Sequence, residues 1–370
     1  MKIGILTYHR TLNYGAFLQA YSLKKYIESL NHEVCIIDYW PSWHERMYKS
    51  LRLFQHVSLI IKLKIFVKDI IVLPWTIKRI NVFEKRIIKD LKLSKKIKIK
   101  NGFDLKNLDF DFIIYGSDQI WRYNDTIEYK GFDSVYFGEY LPEKIKKVAY
   151  AASMGPVGDF GKTEWLKDHY KKFHELSVRE YELSSFISVL LNKNIPIVMD
   201  PVFLNTKAFW ESYFSSFKKI KMHEKYILFY NLLPNDSYTQ LVKQFAKINC
   251  LKIIEITGSI IPSKIFQKNT YQCSDVRCFL QLLFNAEYVF SSSFHGIAFS
   301  IIFNKQFFAL HTGKQLGRVK SLLEIVGLED RIISSISDCI NASEIDYSQI
   351  VDKLESKITY SRDFLKNILC

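Results

Sequence analysis

Short apolar runs alternate with segments of helical period along most of the chain. Lys2–Leu6, Val34–Asp38, Phe110–Tyr115, Lys147–Ala152, Leu176–Val178 and Ile195–Met199 read as strands. Ala16–Ser29, Lys162–Lys172 and Tyr181–Leu190 carry apolar residues at helical spacing. A second series follows. Tyr226–Tyr230, Lys252–Thr257, Tyr288–Phe290 and Phe307–Leu310 read as strands, and Asp236–Ile248, Val276–Asn285, His295–Phe303, Val319–Val326 and Ile350–Leu369 as helices. Strands that are apolar throughout are buried on both faces, which points to parallel sheets covered by helices. The pattern predicts an α/β protein of two Rossmann-like domains facing a cleft. The boundary falls near Asp200–Phe217, giving a first domain over 1–205, a second over 206–345 and a C-terminal helix over 346–370.

One stretch interrupts this alternation, a helical insertion over 45–100. From Lys49 to Lys100 there are 15 Lys/Arg and 3 Asp/Glu, so this segment carries nearly all of the chain's net charge of +14. Apolar residues lie among the lysines at helical spacing and predict a basic amphipathic helix pair, broken near Pro74. Two readings stand: docking of 49–100 on an anionic membrane surface with Trp75 near the interface, or a helical insertion with solvated lysines. Nucleic acid is a poor partner, because 41 Lys stand against 11 Arg and no nucleic-acid motif occurs. At 370 residues and 48% hydrophobic, the chain is not mainly disordered. Six cysteines without a CxxC pair fit a reducing compartment, and no metal-ligand spacing occurs. The N-terminus runs straight into a strand, and no stretch of 18 apolar residues occurs. The expectation is therefore no signal peptide, no transmembrane helix and a cytoplasmic location.

Four strand-to-helix junctions hold polar residues beyond what a turn needs. Asn13-Tyr14-Gly15 follows the first strand, where Gly15 permits close approach of a ligand and Asn13 suits a helix cap. Gly116-Ser117-Asp118-Gln119-Ile120-Trp121 pairs a carboxylate with an aromatic ring, a surface suited to a sugar, or else a helix cap. Ser177-Val178-Arg179-Glu180 places a guanidinium to fork onto a carboxylate or phosphate, or to pair with Glu180. Ser291-Ser292-Ser293-Phe294-His295-Gly296 is the most informative: serines and a glycine at a helix start make an anion site, and His295 can act as acid or base. Lys314 downstream supplies a second cation or is a solvated loop residue.

Taken in order, these motifs, with Asp200-Pro201 and the stretch from Gly317-Arg318 to Arg331, resemble the polysaccharide pyruvyl transferase family over about Met1 to Arg331. The resemblance implies a GT-B-like fold and transfer of the enolpyruvyl unit of phosphoenolpyruvate onto a sugar as a ketal. No cofactor or metal is implied. It also implies functional roles for Arg179, His295 and Lys314. On this reading Asp118 is the base. The first domain holds the acceptor, with Asn13, Tyr14, Gly15, Ser117, Gln119 and Trp121 beside it. The second holds the donor phosphate, with Ser291, Ser292, Ser293 and Gly296. The acceptor is a saccharide of a surface polysaccharide or its lipid-linked precursor, and the basic segment then holds the enzyme against the inner membrane face. Arg122 departs from the family pattern, in which many relatives have a smaller polar residue. The competing readings are a GT-B glycosyltransferase using a nucleotide sugar and a non-catalytic saccharide-binding relative.

Overall fold

The computed structural model describes residues 1–51, 58–94, 102–126, 129–220, 222, 224–311 and 316–370. Two parallel sheets, each wrapped by helices, follow one another along the chain. The first contains β1 (Lys2–Leu6), β2 (Glu33–Ile36), β3 (Phe112–Tyr115), β6 (Lys146–Ala152) and β7 (Glu175–Val178), in the order β2-β1-β3-β6-β7. A small antiparallel hairpin of β4 (Asn124–Asp125) and β5 (Lys130–Gly131) lies outside it. The second sheet contains β8 (Tyr226–Asn231), β9 (Lys252–Thr257), β10 (Thr270–Tyr271), β11 (Tyr288–Ser291), β12 (Gln306–Leu310) and β13 (Ile332–Ile333), in the order β10-β9-β8-β11-β12-β13. The central strands β3 and β8 are buried at every residue, which accounts for their unbroken apolar runs.

Ile195–Met199 does not become a strand. Pro196 has no N–H for a ladder, so the segment makes one bridge, with Val178 donating to the Pro196 carbonyl and Val198 donating to Val178.

Helix α1 (Tyr14–Ser29) joins the two domains as well as covering the first sheet. Tyr14 stacks on Phe279 of α8 (Val276–Phe284), with ring centroids 5.0 Å apart, and its hydroxyl donates to the Ser274 carbonyl. The boundary region forms α6 (Lys207–Ser215), whose Trp210 is buried against Phe299. The C-terminal helix α12 (Val351–Leu369) returns to the first domain, where Ser361 accepts the Met199 N–H and Arg362 donates to the Leu204 carbonyl. One core therefore runs through both domains.

The basic insertion departs from expectation. After the short α2 (Ser42–Tyr48) comes a single 32-residue helix, α3 (Leu59–Asp90), which passes through Pro74 without ending. Proline removes one backbone bond at a cost of about 3 kcal/mol, and tertiary contacts offset it. Buried Arg79 donates to the Leu12 carbonyl of the first domain and to the Thr257, Gly258 and Gln272 carbonyls of the second. Arg86 lies 3.4 Å from both Asp90 and Asp275. Trp75 is half-buried, edge-on to Phe266, so it is a packing residue on the second domain. No helix among the described residues is long and apolar enough to cross a membrane.

Candidate active site

In open parallel sheets a crevice opens beyond the carboxyl ends of the strands, where their order reverses. Those points are β1/β3 in the first sheet and β8/β11 in the second. The loops after these four strands, and the loop after β9, enclose a cavity of about 620 Å³ between the domains. Among the described residues, five cationic side chains (Lys49, Lys68, Arg79, Arg122 and Arg318) line it against two carboxylates, Asp69 and Asp118. Such a pocket favours a multiply charged anion.

His295 stands in the first turn of α9 (Phe294–Ile302), whose start borders the cavity. No side chain caps this helix, so its first N–H groups and the Ser293 hydroxyl are not spent on a cap. The imidazole Nε2 lies 3.6 Å from Asp200 Oδ1. Asp200 in turn accepts from Arg179 Nη1 at 2.6 Å and lies 3.1 Å from the Ser117 hydroxyl. Burial alone would raise the pKa of Asp200, but His295 and Arg179 outweigh it and hold the carboxyl well below the ordinary carboxylate range. Gly15 of α1 packs against the imidazole, and a Cβ there would run into the ring. The glycine thus makes room for His295, rather than for a ligand.

Arg179 spends two of its three nitrogens inside the protein. Its Nε donates to Glu180 at 2.9 Å, its Nη1 to Asp200, and its guanidinium packs 4.5 Å from the Phe294 ring centre. Burial opposes its charge, but Glu180, Asp200 and Asp118 together hold it charged. It is absent from the cavity wall and acts as a strut behind His295. Ser117 also lies behind the wall, buried and donating to the Ala151 carbonyl.

The other predicted residues divide by the same test. Asp118 and Gln119 line the cavity, and Asp118 accepts the Gln119 N–H while lying 3.9 Å from Arg179. Asn13 lines it too, while capping α1. Ser292 and Ser293 face it, although Ser292 accepts the Leu232 N–H. Ser291 turns away to accept the Ser293 N–H, and a Cβ at Gly296 would strike that Ser291 hydroxyl, so both shape the turn. Trp121 is wholly buried, donates to the Tyr136 carbonyl and packs on Phe137 and Tyr170. It is core, not a sugar platform. Tyr14 is likewise interdomain packing. Lys314 lies outside the described residues.

Two features of the wall were missed in the sequence. Arg318 of α10 (Leu316–Val326) reaches the cavity, and its buried Nε has no hydrogen-bond partner among the described residues. Burial first, and Arg179 second, lower its pKa to about 10, which still leaves it charged near neutrality. Its Gly317-Arg318 context was visible only as part of a longer motif. On the first-domain side, Tyr8, Trp43, His44 and Tyr48 form an aromatic wall above Asp118 and Asn124. Aromatic faces beside polar groups suit a sugar ring, but α2 is too short to show periodicity.

His44 gives this wall a pH signature. Burial, with His9 second, lowers its pKa to about 4. The unfolded chain takes up a proton near pH 6.5 and the folded chain only near 4, so folding stability is lost as pH falls through that window. A His44→Phe variant should lose less stability than the parent between pH 7 and 5, by up to about 2 kcal/mol. Urea unfolding at both pH values measures the difference, and equal losses would place His44 in water.

The comparisons with known proteins agree with this architecture. The family model described as polysaccharide pyruvyl transferase matches residues 13–312. No curated protein sequence matches the chain. Among solved structures, UDP-N-acetylglucosamine 2-epimerase from Rickettsia bellii aligns at 11% identity and TM-score 0.50, covering 100% of this chain and 95% of that one. UDP-GlcNAc 2-epimerase from Methanocaldococcus jannaschii, in complex with UDP-GlcNAc and UDP, aligns at 12% identity and TM-score 0.49, covering 100% and 99%. At such identity the likeness is one of fold, the two-domain GT-B arrangement.

Proposed function

Because the chain belongs to the polysaccharide pyruvyl transferase family, we propose that it moves the enolpyruvyl unit of phosphoenolpyruvate onto a saccharide and closes a pyruvate ketal across two hydroxyls. The observation that carries this reading is His295, backed by the Asp200–Arg179 pair, at an uncapped helix start on a cation-rich cavity. The donor's phosphate sits at the start of α9 with Ser293, and Arg318 adds positive charge. The saccharide lies on the aromatic wall of the first domain, a sugar of a surface polysaccharide or of its lipid-linked precursor.

His295 gives a proton to the methylene carbon of the donor, so C2 becomes electrophilic. The first sugar hydroxyl bonds C2 while Asp118 accepts its hydrogen bond. The C2–O bond to phosphate breaks, and its electron pair leaves on inorganic phosphate. The second hydroxyl closes the ketal. Of the two protons the hydroxyls release, one restores His295 and the other leaves with phosphate. Phosphate is a good leaving group, so positioning and charge stabilisation supply most of the acceleration.

A thermal-shift panel of phosphoenolpyruvate against nucleotide sugars tests the donor. A ligand at about 100 times its dissociation constant adds roughly 2.7 kcal/mol of stability. Phosphoenolpyruvate should stabilise the chain, and Arg318→Met should weaken its binding about 10- to 100-fold, the worth of one charged hydrogen-bond partner. Stabilisation by nucleotide sugars alone would reassign the cavity to glycosyl transfer.

A further inference from the structure

Helix α3 is amphipathic the wrong way round for a surface helix. At about 100° per residue, Lys68, Asp69, Val72, Thr76 and Arg79 share one side, and that side lines the cavity. The opposite side carries Leu59, Leu63, Phe66, Ile70 and Ile77 to solvent, with Leu59 83% and Leu63 62% exposed. Ile60, Val67 and Ile71 widen this stripe and are also exposed. Burying such a stripe in the molecule would be the ordinary outcome, because apolar area is costly in water. Here the polar side is spent on the cavity and the carbonyl clamp of Arg79, so the apolar side faces outward.

The charge around the stripe identifies its occupant. Lys62, Lys64 and Lys78 flank it at the same spacing and are exposed. Between Glu45 and Glu84 the sequence has a single acid, Asp69, and it is buried. We infer that residues 59–77 of α3 lie in the headgroup region of an anionic lipid bilayer, with the stripe in the acyl boundary and the lysines at the phosphates. The helix spans no membrane. It lies on one. Resting on the pyruvyl-transfer reading, this sets the cavity one helix away from the bilayer and suits an acceptor still attached to a lipid carrier.

Vesicle co-sedimentation of the full chain tests the inference without any assay of turnover. The parent should pellet with phosphatidylglycerol-containing vesicles and not with pure phosphatidylcholine. A Leu63→Glu/Ile70→Glu variant should lose binding, and a Lys62→Gln/Lys64→Gln/Lys78→Gln variant should bind about a hundredfold more weakly. The glutamate positions face solvent, so unchanged thermal unfolding would show that the fold is intact. Failure of the parent to bind anionic vesicles, or equal binding by the glutamate variant, overturns the proposal. So does self-association of the parent in sedimentation equilibrium that the glutamate variant abolishes, which would assign the stripe to a second copy. If vesicles bind and phosphoenolpyruvate does not, the docking stands and the pyruvyl-transfer reading falls.

Discussion

Replacing His295 with Gln is expected to lower the rate of pyruvyl transfer by about 10²- to 10⁴-fold, the usual worth of a positioned acid. Gln keeps a polar side chain at the start of α9 but has no proton to give to carbon. Donor binding should survive, because the helix N–H groups and Arg318 remain, so the loss should fall on turnover. Gly15→Ala provides the companion. It leaves the imidazole in the sequence yet puts a methyl where the ring lies. Turnover should drop by a similar order, because a small misplacement of the reacting group is itself costly. Steady-state kinetics with phosphate release as the readout decides both. A His295→Gln enzyme within fivefold of the parent would remove His295 from the chemistry.

Replacing Arg179 with Met is expected to destabilise the fold by about 3–5 kcal/mol, the cost of removing one partner from a buried ion pair. Two carboxylates depend on this guanidinium, Glu180 and Asp200, at 6% and 0% side-chain exposure. Without it, Glu180 loses its bonded cation and Asp200 is left with His295 alone, 3.6 Å away. The deficit should be largest near neutral pH. Asp200 is held below the ordinary carboxylate range in the parent, so the stability it contributes is present above that range and is lost as pH falls through its folded pKa. In the variant, acid relieves the penalty by protonating the orphaned carboxylates, so the two stability curves should converge at low pH. Urea denaturation across pH 4 to 8 measures this. A deficit under about 1 kcal/mol at pH 7 would mean that water reaches the pair.

The legible parts of this protein were those written in nearest neighbours. Asp236–Ile248 and Lys252–Thr257 appear in the structure with the bounds their periodicity predicts. The junction around His295 was also legible, because a serine-rich turn between a buried strand and a helix is a local pattern. Ile195–Met199 was misread because one proline, rather than hydropathy, decided whether it could join the ladder. Pro74 was misread the other way, because anchors supplied by the second domain hold α3 together across it.

The sequence by itself determined the two α/β domains, the order of the motifs and the family to which they belong. These follow from burial periodicity and turn chemistry, which act over a few residues. Only the tertiary structure decided what each motif residue does. Gly15 and His295 are 280 positions apart, and only their packing shows that the glycine serves the histidine. Arg179 spends its Nε and Nη1 donors on Glu180 and Asp200, the second of which no local pattern announces. Arg318 and the wall around Trp43 reach the cavity only because the domains face one another. A side chain's role depends on what else lies within a hydrogen bond of it, and in parallel sheets joined by long crossovers those neighbours come from distant parts of the chain.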